Sequence, residues 1–289
     1  QAASVSTTAP ATGAINVTGG EIGVINTARS AGAECMTTIS GGTVAAFKGE
    51  IGELTVTGGT LGEVTMLTAE GVAVEYAITA DGKYVAAVAK IGTSCYATFA
   101  EALAAAQDGD TITLISGDQV ISLAGSVVGN KTITITGSAI VDWTKGNLFV
   151  GRGGAGNGKV IFDGANITSY AKKTIASTGI HVSGSKGSEA DVNDGVLVIK
   201  NSNIEVDYLI NRNEVVVEGN STLTVYGGYY THGRNASESS DGTDKTATFT
   251  IESGATVVVV NENGMGVGGE SNGVMTVKGT YKANVLHVS

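Results

Sequence analysis

Ile161-Phe162-Asp163-Gly164-Ala165-Asn166-Ile167-Thr168-Ser169 and Val198-Ile199-Lys200-Asn201-Ser202-Asn203-Ile204-Glu205-Val206 are two copies of one nine-residue phrase. Apolar residues flank a polar middle of Gly, Asn, Ser or Ala. The phrase returns at 217–225 (VEGNSTLTV), at 251–259 (IESGATVVV) and more loosely at 277–285 (VKGTYKANV). Its starts are 37, 19, 34 and 26 residues apart. Alternation of this kind describes short strands, and the polar middle describes a corner between them. A unit so small cannot bury its own apolar face, so copies must stack on one another.

A second phrase occupies the first seventy residues: Val17-Thr18-Gly19-Gly20-Glu21-Ile22, Ile39-Ser40-Gly41-Gly42-Thr43-Val44 and Val56-Thr57-Gly58-Gly59-Thr60-Leu61. Steps of 22 and 17 residues separate the copies. Each has the form strand, tight Gly-Gly bend, strand. Residues 72–88 read differently. Val72, Val74, Tyr76 and Ile78 alternate up to Asp81-Gly82, and Tyr84, Val85 and Val88 follow, which predicts a hairpin. The organisation expected is a Gly-Gly repeat β-solenoid segment over 1–71, a hairpin and connector over 72–95, and a second stack over 96–289. Unequal steps suit turns of about 17 to 26 residues with loops of variable length, which favours a parallel β-helix over a strict short-repeat solenoid.

One helix is expected, over 98–107. Thr98 is an N-cap with Glu101 three residues on, Phe99, Ala102, Leu103 and Ala106 share a face, and Asp108-Gly109 supplies a stop. Too short to stand alone, it is suited to cover the open strand edge at the start of the second stack. The stretch from Tyr96-Ala97-Thr98-Phe99-Ala100-Glu101-Ala102-Leu103 through Asp108-Gly109-Asp110-Thr111-Ile112-Thr113-Leu114 resembles the entry segment of right-handed parallel β-helix (pectin-lyase-like) domains. Such domains recur in large surface proteins of Gram-positive gut bacteria. The resemblance implies an all-β, right-handed parallel β-helix with one capping helix. It implies no single activity, because that fold carries lyases, hydrolases, adhesins and stalks alike.

Composition excludes other classes. Of 289 residues, 43 are glycine and one is proline, without the three-residue period of a collagen helix. A net charge of -10 and no basic run argue against nucleic acid. A hydrophobic share of 42% argues against disorder, and no apolar run is long enough to span a membrane. Cys35 and Cys95 are compatible with one disulfide in an oxidising compartment, or with two buried small apolar side chains.

The candidate sites are modest. Gly151, Gly153 and Gly156 match a dinucleotide fingerprint, and Gly153 to Lys159 matches most of a phosphate loop, but both motifs must open a helix and a strand pattern follows here. Thr231-His232-Gly233-Arg234 matches only the last part of the element that polysaccharide hydrolases of this fold carry, and no Asp-Asp pair accompanies it. Glu189, Asp191 and Asp194 lie in one Gly/Ser-rich loop that could hold calcium or simply be solvated. The densest anomaly is Tyr226, Tyr229 and Tyr230 with His232 and Arg234, where three of the nine tyrosines fall within five residues. Exposed rings beside planar donors suit stacking on sugars or anchoring a protein partner, whereas the bland alternative has Tyr226 and a neighbour capping a wide turn of the core. The expectation is a secreted or cell-surface module, a non-catalytic adhesin or spacer presenting loops to a glycan or host protein. The alternatives are a polysaccharide lyase or hydrolase whose acids converge only in three dimensions, and a self-assembling surface-layer or stalk subunit.

Overall fold

The computed structural model describes residues 12–27, 34–183, 193–237, 242–261 and 273–283. It is all-β apart from one α-helix and a single 3-10 turn at Trp143–Lys145. The chain divides into two compact units, one drawn from Gln1–Val88 and Cys95–Ala97, the other from Ala89–Ser94 and Thr98–Ser289.

In the first unit, β1 (Thr12–Asn26), β2 (Glu34–Glu50), β3 (Leu54–Val56) and β4 (Thr60–Leu67) form one sheet. β2 pairs in parallel with β1 on one side and with β3 and β4 on the other. The Gly-Gly phrases stack in register, Val17 on Ile39 on Val56 and Ile22 on Val44 on Leu61. Glycine is required at the corners. A Cβ at Gly41 or Gly58 would lie 2.6 Å from the Thr18 or Ser40 carbonyl oxygen of the turn before. Val17, Ile25, Ile39, Val44, Phe47, Leu54 and Met66 fill the interior with Tyr84. β5 (Tyr76–Ile78) and β6 (Tyr84–Ala86) form the hairpin, antiparallel as expected, turning at Gly82 with φ +82°. Its turn lies on β3, where the Val56 N–H donates to the Gly82 carbonyl at 2.8 Å.

The second unit opens with β7 (Ala89–Ile91) and α1 (Phe99–Ala105), and β8 (Ser94–Tyr96) is divided, with Ser94 in the second unit and Cys95 and Tyr96 in the first. Both bonds of the capping box form between Thr98 and Glu101, and Phe99, Ala102 and Leu103 are buried. α1 stops earlier than expected. Ala106 already has extended backbone, and the Asp110 carboxylate takes up the Gln107 N–H. The helix packs on β7 and on β9 (Thr111–Leu114), and β7 pairs with β9 antiparallel, so the sheet is mixed.

Strands then follow as β10 (Val120–Ile121), β11 (Gly125–Val127), β12 (Lys131–Val141), β13 (Leu148–Val150), β14 (Gly158–Ser169) and β15 (Ile180–Val182). β16 (Gly195–Lys200), β17 (Asn203–Asn211), β18 (Glu214–Glu218), β19 (Thr222–Thr231), β20 (Ala247–Ile251), β21 (Thr256–Val259), β22 (Gly273–Val277) and β23 (Thr280–Lys282) complete it. Beyond the β7–β9 pair, the ladders of this unit are parallel and join strands two or three apart in chain order. Ile133, Val160, Leu197, Val215 and Phe249 form one interior column, and Ile135, Phe162, Ile199, Val217 and Ile251 form the next. All ten are fully buried. At about 1.5–3 kcal/mol per buried side chain, such columns are the main cohesive term of the unit. The glycine fingerprint at 151–156 leads into β14, a strand, as the sequence pattern implied. Only the start of the last phrase, up to residue 283, lies within the described residues.

Candidate functional site

β13, β15, β17 and β19 lie side by side, and their register sets Phe149, His181, Ile210 and Tyr230 in one row across the strands. Side chains alternate along a strand. Leu148, Val150, Ile180, Val182, Leu209 and Asn211 are buried in the interior, and Phe149, Ile210 and Tyr230 lie on the other face, partly exposed, with Tyr208 beside them, while His181 at the same row position is itself buried. The rings touch in sequence. Phe149 and His181 meet edge to face with centroids 5.4 Å apart, His181 and Tyr208 lie 5.6 Å apart, and Tyr208 and Tyr230 lie 5.8 Å apart.

Arg152 closes one end of this row. Its guanidinium carbon stands 4.7 Å from the Phe149 ring centroid, and its Nη1 donates to His181 Nδ1 at 2.7 Å. Guanidinium has no acceptor, so Nδ1 accepts and the ring proton sits on Nε2. Burial, then repulsion from Arg152 and Arg212, lowers the His181 pKa from 6.5 to about 4 against the opposing pull of the Ser177 backbone. The imidazole is therefore a neutral, flat, largely apolar link in the row near neutral pH.

Tyr226 belongs to a different cluster. Lys172 Nζ sits 5.5 Å from the centre of its ring and 3.3 Å from Glu205 Oε2. Behind them the Ser169 N–H donates to Glu205 Oε2 at 3.0 Å, and the Ser169 hydroxyl donates to Asp207 Oδ1 at 2.5 Å. Stacking thus brings two acids, a lysine and a tyrosine together from turns that the sequence separates. Hydrogen bonding to Tyr226 and Glu205 raises the Lys172 pKa, and burial raises that of Tyr226, so both candidate bases move away from neutrality. Burial, reinforced by Asp142, raises the pKa of Asp207, whose carboxyl is about 1% exposed.

The other sequence candidates separate. Arg234 is not a presented donor. It is buried, and its Nη2 bonds Asp194 Oδ1 at 2.6 Å. Asp194 is thereby engaged by a cation rather than left open for calcium, and Glu189 and Asp191 lie outside the described residues. His232 is half-buried just beyond β19, and its N–H donates to the Asn211 carbonyl at 3.1 Å. Tyr229 pairs with Leu209. Cys35 and Cys95 are not bonded to each other. Cys35 is buried, and the Cys95 thiol lies 3.6 Å from Glu75 Oε2.

Phe149, Arg152, His181 and Tyr208 escaped the sequence reading. A signal for two of them exists, since Phe149 and His181 each stand between two interior residues of a three-residue strand. Which outward positions share a row depends on turn lengths that only the register reveals. Among the described residues no three His, Cys, Asp or Glu could hold a metal, and no helix is long and apolar enough to cross a membrane. The chain matches no protein-family profile, no curated protein and no solved structure.

Proposed function

We propose that this chain is a non-catalytic, cell-surface binding module, and that its second unit is a right-handed parallel β-helix whose lateral aromatic row docks a glycan. The observation that carries the reading is the row Phe149, His181, Tyr208 and Tyr230, four rings in sequential contact, of which Phe149, Tyr208 and Tyr230 are partly exposed and His181 is the buried link. Sugar rings stack on such faces, and aromatics there offer contact area at little entropic cost. Successive strands about 4.8 Å apart repeat the rings at a spacing that suits an extended chain of sugars rather than a single residue. Parallel ladders that join strands one coil apart support the β-helix, and right-handedness follows from the rule for parallel crossover connections. The raised pKa values of Lys172 and Tyr226 favour binding over lyase chemistry.

A glycan array probed with the purified chain tests this. Phe149→Ala and Tyr230→Ala are each expected to weaken a selective hit by about 1 kcal/mol, roughly fivefold. A hit indifferent to both substitutions, or no selective hit, overturns the reading. Cleavage of a uronate polymer by the unaltered chain would replace it with a lyase.

A further inference from the structure

Arginine is scarce in this chain and unevenly placed. There are four arginines against thirteen lysines, and three of the four, Arg152, Arg212 and Arg234, follow the ends of β13, β17 and β19. These strands and β15 are joined by parallel ladders, so their ends fall together at one corner of the stack. Two of the three histidines, His181 near the end of β15 and His232 just past β19, stand there as well.

Two of these cations act on one imidazole. Arg152 lies on the β13 side of His181 and donates to its Nδ1, and Arg212 follows β17 on the other side, where its N–H donates to the Val182 carbonyl at 2.9 Å. Burial aside, Arg152 and Arg212 are the charges that keep His181 neutral. Burial and Tyr230 raise the Tyr208 pKa against the pull of the same Arg212. Both side chains are partly exposed. Arg234 differs, since it is buried and its charge is matched by Asp194.

The choice of arginine over lysine is informative. A guanidinium stays charged, presents five donors in a rigid planar fork and stacks on rings, as Arg152 does on Phe149, whereas an ammonium is a hydrated point charge. Two forks on strands either side of one neutral ring suit an oxyanion whose oxygens point in several directions, sulfate or phosphate. A planar carboxylate is satisfied by one fork. The chain as a whole repels such a group, because its net charge is -10, so a local device is needed to hold one.

We propose that Arg152 and Arg212, on either side of His181, form the anion subsite of the aromatic row and take a sulfate or phosphate ester carried by the glycan. The inference rests on the glycan reading and adds to it the charged group that selects the sugar.

Two measurements on the intact chain decide it. In the first, which involves no sugar, sodium sulfate, sodium phosphate and sodium acetate are titrated at constant ionic strength while the arginine Nε–H signals are followed by NMR. Arg152 and Arg212 are expected to shift saturably with sulfate and phosphate and little with acetate, while Arg234 stays still. Signals that drift together without saturating, or that answer acetate equally, overturn the proposal. In the second, affinity is measured for dextran, carboxymethyl dextran, dextran sulfate and dextran phosphate. An ester polymer is expected to bind about tenfold tighter than the other two. The stronger ester identifies the group. Arg152→Lys and Arg212→Lys keep the charge and lose the fork, and each is expected to remove most of that preference with unchanged far-ultraviolet dichroism. A preference that survives both substitutions overturns the proposal. Equal binding of ester and neutral dextran, weakened by Phe149→Ala, overturns it too but leaves the glycan reading standing. Ester binding that ignores Phe149→Ala supports the anion subsite and overturns the stacking of sugars.

Discussion

One methyl group separates tolerated from forbidden at several positions of this chain. Gly58→Ala drives a Cβ against the Ser40 carbonyl, a backbone atom with no freedom to withdraw. An overpacking cost of about 1–3 kcal/mol is expected, read as a lower urea midpoint at unchanged m-value. Asp207 is the opposite case. Its carboxyl is buried, accepts from Ser169, and leaves Oδ2 without a hydrogen-bond partner among the described residues. Asp207→Asn keeps the acceptor and removes the charge. It is expected to raise Tm near neutral pH by a few degrees, equivalent to about 1 kcal/mol, and a fall in Tm would show that the ionised carboxylate is the stabilising form.

At the scale of elements, the parallel ladders make a residue's neighbours along the stack predictable from its phrase. Ile161 does pair with Val198, Val217 with Ile251 and Ile251 with Val277. Alignment by phrase slips twice, because Val198 faces Val216 while Asn203 faces Thr222, and Ile251 faces Val277 while Thr256 faces Thr280. The corner after β18 holds one residue more than the corner after β16, and only main-chain pairing shows where it is absorbed. Such slips explain why the interior was legible and the outward row was not. Interior positions announce themselves by alternation, whereas a row across strands needs the register of every intervening turn. The tyrosine cluster was accordingly read as one site, although Tyr226 lies with Lys172 and Tyr230 with Tyr208. Leu197→Ala empties the centre of an interior column and is expected to cost about 2–5 kcal/mol. Thr98→Ala removes one side of the capping box and is expected to cost about 1 kcal/mol, both measurable by urea denaturation.

For the molecule as a whole, acid is the informative perturbant. His181 has its pKa lowered in the folded state to about 4 from 6.5, so the unfolded chain binds the proton first. Its contribution is complete above pH 6.5 and is lost as pH falls to about 4, a change of about 3 kcal/mol. Asp207, with its pKa raised, works in the other sense, favouring the folded chain in acid and losing that contribution as pH rises through its folded value. Urea midpoints measured between pH 7 and about 4 should fall, and His181→Leu should flatten the profile. An unchanged slope in that variant would assign acid sensitivity elsewhere. The ladders of the second unit also give it a mechanical grain. Among the described residues β22 pairs with β20 and β23 with β21, so tension applied beyond β23 loads these parallel ladders strand by strand and breaks their main-chain bonds one after another. The unit should yield to a pull by peeling, a few strands at a time and at low force, with the released length set by the loops between them.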